Sequence, residues 1–515
     1  MNCFWQESSL VFDVQIMLSI SQSQRVLAAF QSFFQIPLAT KLQSAVTSDA
    51  KAIAVNLFQA MVNRVPAYQA FLQEQGIEPQ SIQSFDDFQT LPLITKNNYL
   101  QRYPLKDRCW DGVLESCDLI AVSSGSTGKP TFWPRFITDE LQIASRFEQI
   151  FLDSFQADQQ RTLAVVCFPM GTWVGGLFTT NCCRHLAAKG YPLTIIAPGN
   201  HKTEILRVIR DLGSDFEQLV LLGYPPFIKD VIDTGIIENI PWANYQVKGI
   251  FAGEVFSEEW RSLVGKRLGS TNFIYDFASL YGTADAGVLG NETPLSITIR
   301  RFLAQQPDIA RELFGESRLP TLVQYDPTHR FFEVEDGTLL FSGDNGIPLI
   351  RYHIADNGGI IPYPEMLTFL NQHGFDPLSC LQNQRGIYPL PFVYVFGRSQ
   401  FTLSYFGANI YPENIAVGLE QTDIQDWVTG KFVMEILEDT DHNPHLAIAV
   451  ELAPNIKADN EKVAKIAHSI QTQLIRLNSE FANYVPARSQ SPQISLWSMG
   501  DPTYFPIGVK HRYTR

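Results

Sequence analysis

A run of glycines and hydroxyl-bearing residues, SSGSTGKPT at residues 123–131, has the composition of a loop that binds phosphate. Glycine lets backbone amides come close to anionic oxygens, and serine and threonine hydroxyls add further donors. The candidate contacts are Ser123, Ser124, Gly125, Ser126, Thr127, Gly128 and Lys129. The spacing is not that of a P-loop NTPase, because two residues separate Gly125 from Gly128 where that motif requires four. Taken alone, the run is as typical of an ordinary turn between strands as of a nucleotide site.

The elements around this loop follow the pattern of βαβ units, in which short β-branched runs alternate with segments of helical period. The predicted strands are 118–122, 161–168, 191–197, 218–223 and 247–253. The predicted helices are 202–213, 226–235 and 257–269. Each helix is predicted to end at a glycine, the residue that best tolerates a helix C-cap. These patterns predict an α/β fold with mostly parallel sheets flanked by helices.

The chain after about Gly397 follows a different pattern, with strand-like runs at 431–437 and 446–452, a long helix, and a strand at 494–499. One face of that helix is apolar and is predicted to be core. Its apolar residues are Val463, Ile466, Ile470, Leu474, Leu477 and Phe481. We therefore predict a large domain at 1–396, with a poorly defined helical lead-in at 1–60, and a small mobile α+β domain at 397–515.

Composition excludes several classes of protein. Of the 515 residues, 45% are apolar, which is enough to bury the cores of two or more domains. The net charge of -14 and the absence of a long basic run argue against nucleic acid or an anionic membrane as partners. The seven scattered cysteines contain no CxxC pair, which favours a reduced cytoplasmic protein. We predict neither a signal peptide nor a membrane-spanning helix.

Several motif-like stretches occur in a fixed order along the chain. They are residues 65–105, SSGSTGKPT, FAGEVFSEEW (251–260), SLYGTADAG (279–287), RYHIAD (351–356) and FGRSQFTLSYFGANIYPENI (396–415). In sequence and spacing they resemble the motifs of the adenylate-forming superfamily, specifically its phenylacetate-CoA ligase-like branch. The resemblance covers roughly residues 60–515, and the ordered set is far more specific than any single motif.

The resemblance implies an enzyme that uses ATP and Mg²⁺ to activate a small carboxylic acid as its acyl-adenylate, then transfers the acyl group to coenzyme A. Transfer to an amine or a carrier protein stays open, and so does a degenerate nucleotide-binding paralogue without catalysis. Trp173 and Tyr224 suit stacking on an aromatic acid, but equally suit the core. A homodimer is compatible with the sequence. Some members of the branch carry a Cys/His zinc site, but we expect none, because residues 287–379 contain no cysteine.

The resemblance also implies roles in the nucleotide pocket. Tyr281, in a YGT segment with Gly282 and Thr283, is expected to stack near adenine, and Asp285 to help hold magnesium. Asp356 is expected to bind both ribose hydroxyls, which suits an acceptor-only carboxylate. Without the resemblance, Tyr281 is a half-buried core aromatic and Asp356 a surface-turn residue.

Four further residues receive roles in the same way. Gly253 and Glu254 resemble a turn that lines the acyl and adenine pocket, with a plain strand end as the alternative. Arg398 resembles the arginine at the domain boundary that reaches ribose or phosphate oxygens. Lys510 lies near where such ligases present a lysine to the carboxylate and the α-phosphate. An exposed ion pair is the alternative for Arg398, and a frayed basic tail for Lys510.

The chain departs from the family pattern at three places. Ala284 and Asp285 stand where the family usually has serine or threonine followed by glutamate. Ile354 and Ala355 replace the usual Thr-Gly before the ribose-binding aspartate. Gln400 stands at the normally acidic hinge about which the small domain swings in this superfamily.

Overall fold

The structure is a computed structural model. It describes residues 22–115, 117–122, 131–172, 174–316, 319–381, 386–397, 403–406, 408–438, 444–478, 481–482, 485–506 and 511–515. Some predicted site residues lie outside these segments. They are the phosphate-loop candidates Ser123 to Lys129, together with Trp173, Arg398, Gln400 and Lys510.

Thirteen named strands precede the C-terminal part of the described chain. They are β1 (Leu119–Val122), β2 (Phe132–Arg135), β3 (Thr162–Val166), β4 (Leu193–Ile196), β5 (Gln218–Gly223), β6 (Val247–Ala252), β7 (Phe277–Thr283), β8 (Gly287–Asn291), β9 (Thr321–Gln324), β10 (Phe331–Glu335), β11 (Thr338–Gly343), β12 (Leu349–Ile361) and β13 (Phe392–Gly397). Within the described residues, eleven of them form one sheet in the order β10-β11-β12-β13-β9-β8-β7-β6-β5-β3-β4. The run from β4 to β7 is parallel, and β8 to β13 pair antiparallel.

The predicted parallel sheet is confirmed for the segments 161–253, but the first predicted strand is not part of it. β1 pairs antiparallel with β2 in a separate two-stranded sheet, with Leu119 opposite Arg135. The physical reason is the short connection between them, because a parallel pair needs a crossover of a dozen or more residues. The phosphate-loop candidate therefore connects the two strands of one antiparallel pair.

Helices cover the main sheet. In chain order they are α1 (Gln22–Gln35), α2 (Leu38–Thr47), α3 (Ala50–Arg64), α4 (Pro66–Glu74), α5 (Phe85–Phe88), α6 (Ile137–Gln149), α7 (Val174–Ala188), α8 (Lys202–Leu212), α9 (Pro225–Ile237), α10 (Glu258–Arg267), α11 (Phe273–Asp276), α12 (Pro294–Gln305), α13 (Pro307–Phe314) and α14 (Tyr363–Gln372). The prediction that a glycine ends the helix at 235 is wrong, because α9 continues to Ile237. Gly235 instead makes room for Trp242, whose Cζ2 would lie 2.5 Å from an added Cβ.

Alternate residues of the central strands pack on opposite faces of the sheet. Leu163 and Val165 belong to the core on the side of α8 and α9, whereas Ala164 and Val166 belong to the core on the side of α6 and α7. This alternation follows from the two-residue period of a strand. Burial on both faces fixes β3, β5 and β6 rigidly, so their carboxyl ends form a firm edge. No helix in the described segments is long and apolar enough to cross a membrane.

The C-terminal part has its own sheet and core. Its elements are β14 (Leu403–Tyr405), β15 (Ala408–Ile410), α15 (Pro412–Leu419), β16 (Val428–Glu438), β17 (Pro444–Leu452), α16 (Asn460–Leu477) and β18 (Gln493–Trp497). The sheet order is β16-β17-β18, and Ile466, Ile470 and Leu474 of α16 are buried in its core. Phe481 is buried in the same core although α16 ends at Leu477. The domain boundary near residue 397 stays a prediction.

Candidate active site

A cleft of about 2240 Å³ lies between the carboxyl ends of the parallel strands and the C-terminal sheet. Every predicted nucleotide or metal contact that the structure describes lines this cleft. These residues are Gly253, Glu254, Tyr281, Gly282, Thr283, Asp285 and Asp356. The place is the expected one, because ligands of open α/β sheets bind beyond the carboxyl ends of the strands. The volume exceeds the roughly 300–1,000 Å³ of a typical small-molecule pocket and is large enough for more than one substrate.

Tyr281 and Asp356 are brought together by β7 and β12. The Tyr281 hydroxyl donates a 2.8 Å hydrogen bond to Oδ2 of Asp356, across 75 residues of sequence. Both residues are buried, and the Tyr281 ring stacks on Phe332 with the centroids 6.5 Å apart. The two side chains to which the sequence assigned adenine and ribose contacts therefore form one unit on the cleft wall.

An irregularity in β12 accompanies the placement of Asp356. Ala355 has φ +65°, and the register with β13 shifts between Asn357 and Gly358. Left-handed backbone is strained for a residue with a Cβ and unstrained for glycine. Ala355 is one of the positions where the chain departs from the family glycine. Ala355 therefore places backbone strain next to Asp356.

The turn between β7 and β8 is fixed by local and long-range hydrogen bonds. Oγ1 of Thr283 accepts from the backbone amide of Ala286 at 3.1 Å. The buried Arg135, at the end of β2, donates to the carbonyl of Ala284 at 2.5 Å. Arg135 thus ties the strand that follows the phosphate-loop candidate to the turn that carries Asp285.

Two described residues at the ends of the phosphate-loop candidate also lie at the cleft: Val122 precedes the run, and Thr131 is its last residue. Val122 and Thr131 line the cleft, and the Val122 amide donates to the carbonyl of Thr172 at 2.9 Å. The segment therefore begins and ends at the same cleft that Tyr281 and Asp356 line.

Asp285 is buried beneath the turn, with its carboxylate at the cleft. Oδ2 accepts a 2.6 Å hydrogen bond from the Tyr352 hydroxyl and lies 3.6 Å from Nζ of Lys96. Both contacts use Oδ2, so the carboxylate can offer Oδ1 to a cation. One or two carboxylates together with substrate phosphates are the usual ligands of Mg²⁺. Within the described residues, no group of three or more His, Cys, Asp or Glu side chains is arranged to hold a metal. A magnesium ion here would depend on the nucleotide for its other ligands.

Lys96 is a cleft residue that the sequence reasoning did not single out, although it ends the LPLITK segment of the 65–105 motif. The backbone of Ile94 pairs with β12 through bonds to the Arg351 carbonyl and the His353 amide, at 3.2 and 2.9 Å. This pairing holds the segment beside Tyr352 and brings the ammonium of Lys96 to Asp285. A cation at this position can contact phosphate oxygens.

The Gly253–Glu254 turn ends β6 and faces the C-terminal tail. Gly253 has φ +86°, and an added Cβ would lie 2.5 Å from Cε1 of Tyr224. The Tyr224 ring packs edge-on against Phe168, with the centroids 5.1 Å apart. Oε2 of Glu254 accepts a 2.7 Å hydrogen bond from the Tyr513 hydroxyl. The turn therefore sits between an aromatic wall and the end of the chain.

Two remaining predicted residues lie outside the described segments, but their neighbours in sequence line the cleft. Gly397, which precedes Arg398, and His511, which follows Lys510, are both cleft residues. Burial lowers the pKa of His511 to about 4, and its Nε2 lies 2.7 Å from the Phe432 carbonyl. Residues 511–515 contact the C-terminal sheet, because Thr514 forms a bridge with Met434 of β16.

The ordered motifs predicted a resemblance to the adenylate-forming superfamily, and comparisons with known proteins support that resemblance. In sequence the chain is similar to phenylacetate-coenzyme A ligase of Thermus thermophilus, with 24% identity over 360 residues that cover 68% of this chain and 70% of the relative. No family model matches the chain.

Solved structures show the same fold. 2-Hydroxyisobutyryl-CoA ligase in its postadenylation state, in complex with R3-HIB-AMP, has a TM-score of 0.64 at 14% identity, covering 94% of this chain and 91% of that chain. An open conformation of the same ligase, in complex with 2-HIB-AMP and CoA, has a TM-score of 0.52 at 14% identity, covering 90% of each chain. The predicted α/β fold is therefore confirmed.

Proposed function

We propose that the protein is an AMP-forming acid–coenzyme A ligase. The observation that carries the proposal is the Tyr281–Asp356 hydrogen bond inside a cleft that also holds Asp285 and both ends of the phosphate-loop candidate. Chance would not gather residues from four distant motifs at one sheet edge. The relatives named above are CoA ligases, which supports the same assignment.

The reaction has two steps. In the first, a carboxylate oxygen of the acid attacks the α-phosphorus of ATP, an O–P bond forms, and the bond to pyrophosphate breaks. In the second, the thiol sulfur of coenzyme A attacks the acyl carbon, and AMP leaves with the oxygen that came from the acid. Neither step needs a protein nucleophile, so the protein acts by aligning two anions and stabilising charge.

The described residues suit the nucleotide half of this chemistry. Asp356 accepts from Tyr281 through one oxygen, and a carboxylate has about four lone-pair sites, so it can also accept from ribose hydroxyls. Asp285 would hold Mg²⁺, which neutralises phosphate charge when bound. Lys96 would contact the same phosphates. Ser123 to Lys129, Arg398 and Lys510 keep the phosphate, ribose and catalytic roles that the resemblance implies.

The acid is proposed to be apolar and aromatic. The cleft wall near Gly253 contains Phe168, Phe178 and Tyr224, and burial raises the pKa of the Tyr224 phenol, so it stays neutral. An aromatic wall of this kind favours a flat hydrophobic acyl group. We also propose a cytoplasmic location, where thiols stay reduced. A homodimer stays a prediction, which sedimentation would test.

The direct test is acid-dependent ATP–pyrophosphate exchange, measured over a panel of aromatic, branched and linear acids. We expect exchange with at least one aromatic acid, and a loss of about 10²–10³-fold in Lys510→Ala. Lys457→Ala, a change at an exposed lysine of the C-terminal part, is the matched control and should keep wild-type exchange. Coenzyme A, an amine and a carrier protein, each offered alone, identify the acceptor.

Two results would contradict the proposal. ATP binding without exchange over the whole panel would favour a degenerate paralogue. Unchanged exchange in Lys510→Ala would remove the catalytic role of that lysine.

A further inference from the structure

Residues 511–515 lie along β16 of the C-terminal sheet, with one isolated bridge between Thr514 and Met434. The Met434 amide donates to the Tyr513 carbonyl at 2.8 Å, and the Arg515 amide donates to the Met434 carbonyl at 3.3 Å. The Tyr513 ring packs on Phe432 and His511, with centroid distances of 5.0 and 4.7 Å. The tail is therefore held along β16 by backbone and ring contacts together.

One side chain of residues 511–515 reaches the turn at the end of β6. The Tyr513 hydroxyl donates to Oε2 of Glu254 at 2.7 Å, across 259 residues of sequence. Burial, together with the nearby carboxylates Glu254, Glu413 and Glu420, raises the pKa of Tyr513 well above its usual value. The phenol therefore stays protonated and remains a donor, and a hydrogen bond to a carboxylate is among the stronger kinds.

Three other contacts join the two parts of the molecule through residues outside the tail. Ser257 hydrogen-bonds Glu420, Nζ of Lys229 donates to the Val428 carbonyl at 3.1 Å, and Arg267 donates to Asp426 at 2.9 Å. These contacts hold the body of the C-terminal part. The Tyr513–Glu254 bond differs because it fixes the tail itself to the turn that lines the cleft.

We propose that Tyr513 is a positioning residue for the adenylation step. Its bond to Glu254 anchors residues 511–515 at the cleft, and these residues directly follow Lys510 in the sequence. The inference rests on the proposed function, since it assigns Tyr513 no chemistry of its own. In the proposed mechanism, transfer of the acyl group from a preformed acyl-adenylate to coenzyme A does not use Lys510. This second step therefore does not need the Tyr513–Glu254 hydrogen bond.

The test compares the two half-reactions in the full chain carrying Tyr513→Phe, which removes the hydroxyl and keeps the ring. We expect kcat for acid-dependent ATP–pyrophosphate exchange to fall on the order of tenfold, since charge-assisted hydrogen bonds are worth about that factor or more. KM for ATP should change less than about twofold, and so should the rate of thioester formation from synthetic acyl-adenylate.

Tyr405→Phe is the matched control. The Tyr405 hydroxyl donates to the Ser489 carbonyl at 2.9 Å inside the C-terminal core and does not line the cleft. Like Tyr513→Phe, this variant loses one tyrosine hydroxyl from the C-terminal part of the chain. Both half-reactions should stay at wild-type rates in this variant.

Hydrogen exchange of the tail gives a second readout that needs no acid. In Tyr513→Phe, the amides of residues 511–515 and of Met434 should exchange faster than in the wild type, whereas α16 should be unchanged. Two results would overturn the proposal. One is an ATP–pyrophosphate exchange rate in Tyr513→Phe that equals that of the wild type. The other is unchanged protection of the tail amides from hydrogen exchange. An equal fall in both half-reactions would also overturn it, because it would indicate general loss of structure.

These outcomes are separate from failure of the proposed function. If the wild type shows no ATP–pyrophosphate exchange with any acid, the ligase assignment fails. Protection of the tail amides from hydrogen exchange then decides alone whether Tyr513 anchors the tail.

Discussion

The carboxylate of Asp356 is the single group on which nucleotide binding depends most in this account. It faces the cleft, accepts from Tyr281, and is placed by a strained backbone at Ala355. A carboxylate that is oriented by one hydrogen bond before the ligand arrives loses little freedom when the ribose binds.

Asp356→Asn should raise the dissociation constant for ATP at least about tenfold. Hydrogen bonds to a charged group contribute about 1.5–3 kcal/mol, and the amide offers one oxygen acceptor in place of two. Calorimetry on the purified variant measures the change. Asp336→Asn, in the exposed turn after β10, is the control. Wild-type affinity in Asp356→Asn would remove the ribose role.

Ala355→Gly should stabilise the protein. The left-handed conformation costs an L-residue about 1–2 kcal/mol, and glycine removes this strain. Glycine also gives the unfolded chain more conformational entropy, which offsets about 0.4–1 kcal/mol of the gain. The net gain in the free energy of unfolding is therefore about 0.5–1 kcal/mol, measurable by denaturant titration. Ala278→Gly in β7, where φ is negative, should instead destabilise by a similar amount. A loss of stability in Ala355→Gly would show that the backbone there is not strained.

At the residue scale, motifs singled out some residues of the cleft and missed others, and the ligand contacts stay predictions. Tyr281, Asp285 and Asp356 were found because each stands in a recognisable stretch, and the structure places all three at the cleft. Lys96 and Tyr513 were missed as site residues. Their partners, Asp285 and Glu254, are far away in sequence, and no local pattern encodes such a pair.

At the element scale, the ends of β6 and β7 determine the shape of the site. Gly253 ends β6 with a left-handed turn, and Tyr224 fills the space that a Cβ would need. Buried flanking residues fix both strands, so the turn cannot shift to relieve a clash.

Gly253→Ala should lower both stability and activity, and Gly171→Ala isolates the cause. Gly171 has a similar φ, +90°, but an added Cβ there meets nothing within 4 Å. Gly171→Ala should therefore show only the backbone cost. Gly253→Ala should lose about 1–3 kcal/mol more from overpacking against Tyr224, and should raise KM for the acid. Equal losses in the two variants would mean that Tyr224 moves freely.

The elements themselves were largely predictable. The strands at 161–253 were predicted to within a few residues, because β-branched runs buried on both faces are a strong signal. Two expectations failed for identifiable reasons. Strand 118–122 pairs with its neighbour across a short loop, and Gly235 serves the packing of Trp242 instead of a helix end.

At the scale of the whole molecule, the cleft exists because the C-terminal part is packed against α9 and α10. A single sequence does not indicate how two parts are placed, so none of the contacts between them could be predicted. The half-buried Glu420 is central to this packing. It hydrogen-bonds Ser257, and Glu259, Lys229 and Arg300 face it.

The stability of this packing should fall as pH rises. Burial raises the pKa of Glu420 from 4.5 to about 7. The folded state therefore binds the proton of the Glu420 carboxyl more tightly than the unfolded state does. The contribution of this proton to the free energy of unfolding is fully present below about pH 4.5 and is lost as pH rises through 7. Glu420→Gln should be more stable than wild type, and its advantage should grow by about 1 kcal/mol between pH 6 and 8. Thermal unfolding of both proteins measures this; an advantage independent of pH would contradict it.

The most direct test of acyl-adenylate formation is the fate of a carboxylate oxygen. The protein is incubated with ATP, coenzyme A and an active acid carrying ¹⁸O at both oxygens of its carboxylate, and the AMP is analysed by mass spectrometry. The account predicts one ¹⁸O in each AMP and none in pyrophosphate, because the acid oxygen stays on the α-phosphorus when the thiol displaces AMP. Unlabelled AMP, or ADP with labelled inorganic phosphate, would contradict it.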